Sequence, residues 1–281
     1  MEPEMNDILV GVDPQELSVP ALVWAADEAA HRKVRLRLVT VAPPLRYGAF
    51  TRRSALLIRA QSALATAEDL VRELHAGLWT ATEFLDGPPV AVLRDRTVHA
   101  ALAVLGSRRL GRVAEVLGET SVAIPLAARA HCPVVVVRAP ERPAIHPPLV
   151  VVGVDGGRDC RAAVGFAVAE AALREARLRA VWVWPGPLPH RDDAAQELAA
   201  RRRALAEAVA GWAERYPEVP VEQQVVRGRP VEQLSRVSYA ALAVVVGRGS
   251  HGGRCAGRLG STVHGLLHRA ACPVVAVPPE G

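Results

Sequence analysis

The chain has 281 residues, enough for one large domain or two ordinary ones, and half of them are apolar while only 4% are aromatic, so any core must be built from Ala, Val and Leu. A formal charge of +5 invites a nucleic-acid reading, but the arginines are scattered, the run Arg201-Arg202-Arg203 falls in a helical pattern, and no aromatic–basic interleaving or zinc spacing accompanies them. Lys33 is the single lysine; it ends a helical pattern with no glycine loop around it, which excludes a Walker lysine and a Schiff-base lysine.

The acidic start Met1-Glu2-Pro3-Glu4 leads to no apolar leader segment, no run approaches a membrane span, and the four cysteines form no CxxC. The expectation is a soluble, cytoplasmic, reduced protein with no membrane partner and no nucleic-acid partner.

In chain order, Ile8 to Asp13 reads as a buried strand ending in a carboxylate. Val19 to Ala30 has helical spacing, Leu36 to Val41 is a second strand, and Leu56 to Leu74 a long helix. A weaker strand spans Ala81 to Leu85, followed by a helix over Val90 to Val98 and a strand over Ala101 to Leu105. A helix over Val122 to Ala130 and a strand over Val134 to Val137 close the half. The linker Ala139 to Pro148 is rich in proline. Then Val150 to Asp155 repeats the first strand about 142 positions later, with Val-Gly-Val-Asp identical.

The order recurs through helices Ala162 to Ala176, Ala194 to Tyr216, Val231 to Tyr239 and Val263 to Ala270. The intervening strands are Leu178 to Val183, Val221 to Val226, Leu242 to Val246 and Val274 to Val277. Gly87-Pro88-Pro89-Val90 answers Gly228-Arg229-Pro230-Val231, and Ala130-His131-Cys132-Pro133 answers Ala270-Ala271-Cys272-Pro273. Matches in one order at one offset mark a duplicated domain, with units at 1–140 and 148–281. Strands alternating with helices predict an α/β fold, a doubly wound parallel sheet in each unit.

The candidate chemistry sits at Val244 to Thr262, an apolar strand followed by a glycine-rich loop and a helix start. Glycines bring backbone close to a ligand, and a helix N-terminus offers unpaired N–H groups and a positive dipole end, which suits phosphate. A plain strand–helix connection is the alternative. If strands one and four of the second unit are neighbours, Asp155 and the Gly247 loop share one crevice. The Rossmann fingerprint is absent, because the turn after the first strand is Asp155-Gly156-Gly157-Arg158. No G-x-S-x-G elbow accompanies His251-Gly252-Gly253. His264 and His268 lack a third metal ligand. Cys132 and Cys272 read as small buried residues, and Cys160 and Cys255 have no visible histidine partner. No catalytic residue and no metal site is assigned.

These pieces together, VGVD, Gly-x-Pro, VVVG with its glycine loop and Cys-Pro-Val-Val, resemble the universal stress protein family in tandem form, nearly end to end. The resemblance implies five parallel strands per unit in the order 3-2-1-4-5, helices on both faces, and ATP or a related adenine nucleotide as ligand, with Mg2+ as its counter-ion. It implies a signalling or stress-response module with little or no catalysis; a scaffold acting through protein contacts is the alternative. It also implies that the fifth strands pair across the domains, with a homodimer possible.

The family's nucleotide-binding members carry G-x2-G-x9-G-[S/T] after the fourth strand. Here Gly247 fits the first glycine, Ser250 replaces the second, and Gly260-Ser261 fits the end, with Gly249 and Thr262 flanking. By the same resemblance Val154 and Asp155 hold the adenosine part, and backbone near Val183 lines the base. Ser261 either caps the helix or contacts phosphate, and Asp155 either caps its turn or contacts ligand. The first-unit counterparts are Val12, Asp13, Val41, Gly106, Arg109, Thr120 and Ser121. Non-glycine residues at two of the three glycine positions, Arg109 and Thr120, predict weaker nucleotide binding there, or none.

Overall fold

The computed structural model describes residues 7–43, 50–107, 122–138, 146–157, 160–186, 194–249 and 259–279. The chain divides into two compact units, Met1–Ala139 and Pro140–Gly281.

In the first unit the strands are β1 (Asp7–Gly11), β2 (Leu36–Ala42), β3 (Thr80–Asp86), β4 (Ala100–Gly106) and β5 (Val134–Val137). They lie parallel in the order β3-β2-β1-β4-β5. Helices α1 (Val19–Arg32), α2 (Phe50–Leu74), α3 (Pro89–Arg96) and α4 (Ala123–Arg129) supply the crossovers, and a 3-10 turn, Thr97–His99, leads into β4. The second unit repeats this with β6 (Leu149–Val154), β7 (Arg177–Trp184), β8 (Val221–Arg227), β9 (Ala243–Gly247) and β10 (Val274–Val277), in the order β8-β7-β6-β9-β10. Its helices are α5 (Cys160–Leu173), α6 (Ala194–Arg215), α7 (Pro230–Val237) and α8 (Ser261–Arg269).

The physical cause of this layering is legible strand by strand. Central strands of a parallel sheet are covered on both faces, so they carry continuous apolar runs rather than alternation. Ile8, Leu9 and Val10 in β1 and Val150, Val151 and Val152 in β6 are fully buried. The outermost strands differ: β8 reads VEQQVVR and keeps Glu222 and Gln223 exposed. Helices cover both faces of each sheet, and small residues at the contacts let them approach closely. A Cβ on Gly265 of α8 would stand 2.5 Å from a Val231 methyl on α7.

The duplication extends to details that composition does not advertise. Glu28 on α1 is fully buried and pairs with Arg32 one turn later, while Glu170 on α5 pairs with Arg174 at 2.5 Å. Both helices end in the same left-handed device. Lys33 takes φ 55 and Glu175 takes φ 49. The next amides, Val34 N–H and Ala176 N–H, reach back to the Ala29 and Ala171 carbonyls at 3.1 and 2.8 Å. That closing turn ends α5 at Leu173, three residues short of the expected helix end at Ala176. The helix expected from Leu56 begins six residues earlier, at Phe50.

Candidate functional site

Strand order in each unit reverses between the first and fourth strands, β1 and β4 or β6 and β9. Crossovers leave a crevice at such a point, beyond the carboxyl ends of the strands. In the second unit β6 and β9 are hydrogen-bonded neighbours, with Val150, Val151 and Val152 in register with Ala243, Val244 and Val245. The chain therefore brings Val154 and Asp155, which leave β6, to the same edge as Gly247, which ends β9.

Val154 is buried opposite Trp182 of β7. Asp155 is exposed, and its Oδ1 accepts the Gly157 N–H at 2.9 Å, so the carboxylate closes its own turn. Gly156, between them, has φ +76, and a Cβ there would fall 2.7 Å from Cη2 of Trp182. Cys160 begins α5 beneath this turn; burial raises its thiol pKa, and the backbone N–H groups of Asp155 and Gly156 act against that rise. Val183 lies in β7, in register with Val226 of β8.

The two ends of the glycine-rich loop are clasped together. Gly249 has φ +63, a conformation that side chains with a Cβ resist. The Gly260 N–H donates to the Arg248 carbonyl at 3.1 Å, and the Arg248 N–H donates to the Val277 carbonyl at 2.7 Å. A Cβ on Gly260 would stand 3.3 Å from the Gly249 carbonyl oxygen, tighter than ordinary contact. Gly260 is the N-cap of α8, and Ser261 is its first helical residue, exposed, followed by half-buried Thr262. Of the two roles open to Ser261, capping is not the one it takes: Gly260 occupies the cap, and no side-chain hydrogen bond caps this helix. The N–H groups of Ser261, Thr262 and Val263 fall in the first turn, where helix geometry supplies no partner. Ser250 lies outside the described residues.

The first unit places its counterparts in the same frame with different contacts. Val12 is buried and its carbonyl accepts the Thr40 hydroxyl at 3.0 Å. The Asp13 Oδ1 accepts the Gln15 N–H at 2.8 Å. Val41 lies in β2 opposite Leu85. Gly106 ends β4, and the side chain of Ser18, just ahead of α1, sits where a Cβ on Gly106 would project. Arg109, Thr120 and Ser121 lie outside the described residues. A cavity of about 540 Å³, lined by Lys33, Arg35, His75 and Trp79 among others, lies at the amino ends of β2 and β3, away from the tips that carry Asp13 and Gly106.

Three residues of these frames escaped sequence reasoning: Trp182, Ser18 and Arg248. Arg248 had a local signal, since it follows Gly247 inside the loop motif. The other two act on residues far away in sequence. Among the described residues no three His, Cys, Asp or Glu side chains form a metal-binding cluster, and no helix is long and apolar enough to cross a membrane.

The profile of the universal stress protein family matches twice, over residues 5–138 and 149–278. Universal stress protein Rv2005c of Mycobacterium tuberculosis is 34% identical, covering 97% of either chain. Universal stress protein Rv2623 of the same organism is 35% identical, covering 95% of either chain. Among solved structures, a universal stress protein from Archaeoglobus fulgidus superposes with a TM-score of 0.75 at 17% identity, covering 98% of this chain and 97% of that one.

Proposed function

This chain belongs to the universal stress protein family as a tandem of two such domains, and on that premise we propose that its second domain binds ATP or a closely related adenine nucleotide and acts as a cytoplasmic, nucleotide-dependent signalling module. The observation that carries the reading is the meeting, at the β6–β9 switch point, of the Asp155 turn with the clasped glycine backbone at the start of α8. The nine residues of α8 aim their first N–H groups and positive dipole end at the space beyond the strands. Phosphate oxygens would be held there by backbone near Gly249 and Gly260 and by the hydroxyls of Ser261 and Thr262. The Asp155 carboxylate accepts hydrogen bonds, so it suits ribose hydroxyls or an adenine amino group. Backbone at Val183, with Val154 below, would line the base. Mg2+ would enter on the phosphates.

The single lysine, Lys33, closes α1 of the other domain, and we assign this site binding rather than turnover. The first domain is assigned a scaffold role, because Arg109 and Thr120 stand where the nucleotide-binding loop pattern has glycines.

The test is thermal unfolding with and without Mg-ATP. At about 100 times its dissociation constant a ligand stabilises the domain it binds by roughly 2.7 kcal/mol. Absence of any shift at millimolar ATP would overturn the reading.

A further inference from the structure

We propose that Trp182 is a positioning residue for the Asp155 carboxylate, and through it for the part of the nucleotide that Asp155 holds; the ligand half of this statement rests on the reading above. Trp182 and Trp184 point to the same face of β7, because side chains alternate along a strand. Trp184 is nearly buried and carries the Arg201 guanidinium of α6 stacked at 4.8 Å, which identifies that face as the one covered by α6 and its neighbour α5. Trp182 therefore rises under the entrance to α5, two residues earlier in the strand. Its indole edge lies against Gly156: a Cβ there would come 2.7 Å from Cη2 and 3.3 Å from Cζ3.

Gly156 takes the left-handed conformation that lets the Gly157 N–H swing back to the Asp155 Oδ1. The ring, the left-handed glycine and the carboxylate form one mechanical unit: the ring holds the glycine, and the glycine aims the amide that orients the carboxylate. The first domain secures its equivalent turn from the equivalent strand by other means. There the Thr40 hydroxyl donates to the carbonyl of Val12, the residue before Asp13. A hydrogen bond to the residue before the carboxylate in one domain is replaced, in the other, by a ring against the residue after it.

The experiment compares Trp182→Ala, Trp182→Phe, Asp155→Asn and the double variant Trp182→Ala/Asp155→Asn. The first readout needs no ligand: amide exchange of Gly157 in the 15N-labelled full chain. Exchange is expected to be at least tenfold faster in Trp182→Ala and near parental in Trp182→Phe. The second readout is calorimetric titration with Mg-ATP. Trp182→Ala is expected to raise Kd about tenfold, with Trp182→Phe restoring most of it. In the Asp155→Asn background Trp182→Ala should add less than twofold.

Unchanged Gly157 exchange would overturn the proposal, and so would a full tenfold effect of Trp182→Ala on Kd without Asp155, which would mean the ring acts on its own. If the parental chain binds no ATP, the nucleotide reading falls, and Gly157 exchange still decides whether Trp182 governs the turn.

Discussion

The two domains share a backbone plan, and their sequences part just after the fourth strand, where the first has Arg109 and Thr120 at the positions of Ser250 and Gly260 in the second. In the first, the space above Gly106 is occupied by Ser18, a residue of the loop leading into α1. In the second, the corresponding strand ends in a glycine backbone whose two arms are clasped by the Gly260 N–H and the Arg248 carbonyl, and the residue corresponding to Ser18 is Cys160, drawn under the Asp155 turn. Conserving a fold constrains the buried faces of its strands. It does not constrain what the loops at their ends place over the sheet.

The largest expected effect tests what the domains have in common. Burial pushes the Cys132 thiol from an ordinary 9.0 up to about 12 and that of Cys272 up to about 11. A raised folded pKa means the folded state holds the proton more tightly, so stability is intact below pH 9 and falls as pH climbs from 9 toward 11–12. Each thiol should cost roughly 1.4 kcal/mol per pH unit across that window. Urea unfolding followed from pH 8 to 11 should show the loss, and Cys132→Ala or Cys272→Ala should flatten it in the affected domain only.

The next effect separates the domains. Gly249→Val puts a β-branched residue at φ +63 and should remove the ATP-dependent stabilisation of roughly 2.7 kcal/mol expected at saturation. Gly106→Val should instead destabilise the first domain by about 1–3 kcal/mol, through collision with Ser18, and leave the ATP shift intact. If Gly106→Val also abolished the shift, the contrast between the domains would be lost.

A smaller change concerns the carboxylates. Asp155→Asn should weaken ATP about tenfold, about 1.4 kcal/mol, whereas Asp13→Asn should leave affinity within twofold, both by calorimetric titration. The smallest returns to symmetry. Lys33→Gly and Glu175→Gly relieve a side chain held at positive φ, and each should stabilise its domain by about 0.5–1 kcal/mol in thermal unfolding.

The fold was legible because its signals are local. Valine runs bounded by breakers mark strands, and the Val-Gly-Val-Asp repeat exposes the duplication before any three-dimensional information. Helix ends were less legible. The start of α2 at Phe50 precedes the apolar periodicity that announces it, and the end of α5 depends on a left-handed Glu175, a residue type that gives no such cue. At the candidate site, the glycines and Asp155 could be found from spacing. Ser18 over Gly106 and Trp182 against Gly156 could not, because these partners lie 88 and 26 positions apart in the chain. Their contacts exist only once the parallel sheet has put the strand tips side by side. Ser261 shows the converse limit: a hydroxyl next to a helix start reads as either a cap or a phosphate contact, and only the structure shows that Gly260 takes the cap one residue earlier.

The clasp between Arg248 and Gly260 has a consequence for how this protein can vary. It holds both ends of the intervening segment within one hydrogen bond, so the sheet and α8 do not register how many residues lie between. Closure entropy grows only logarithmically, about 0.6 kcal/mol for each doubling of length. Insertions there should therefore cost the unliganded fold little, and their penalty should fall on nucleotide affinity, so that loop length can tune ligand response separately from stability.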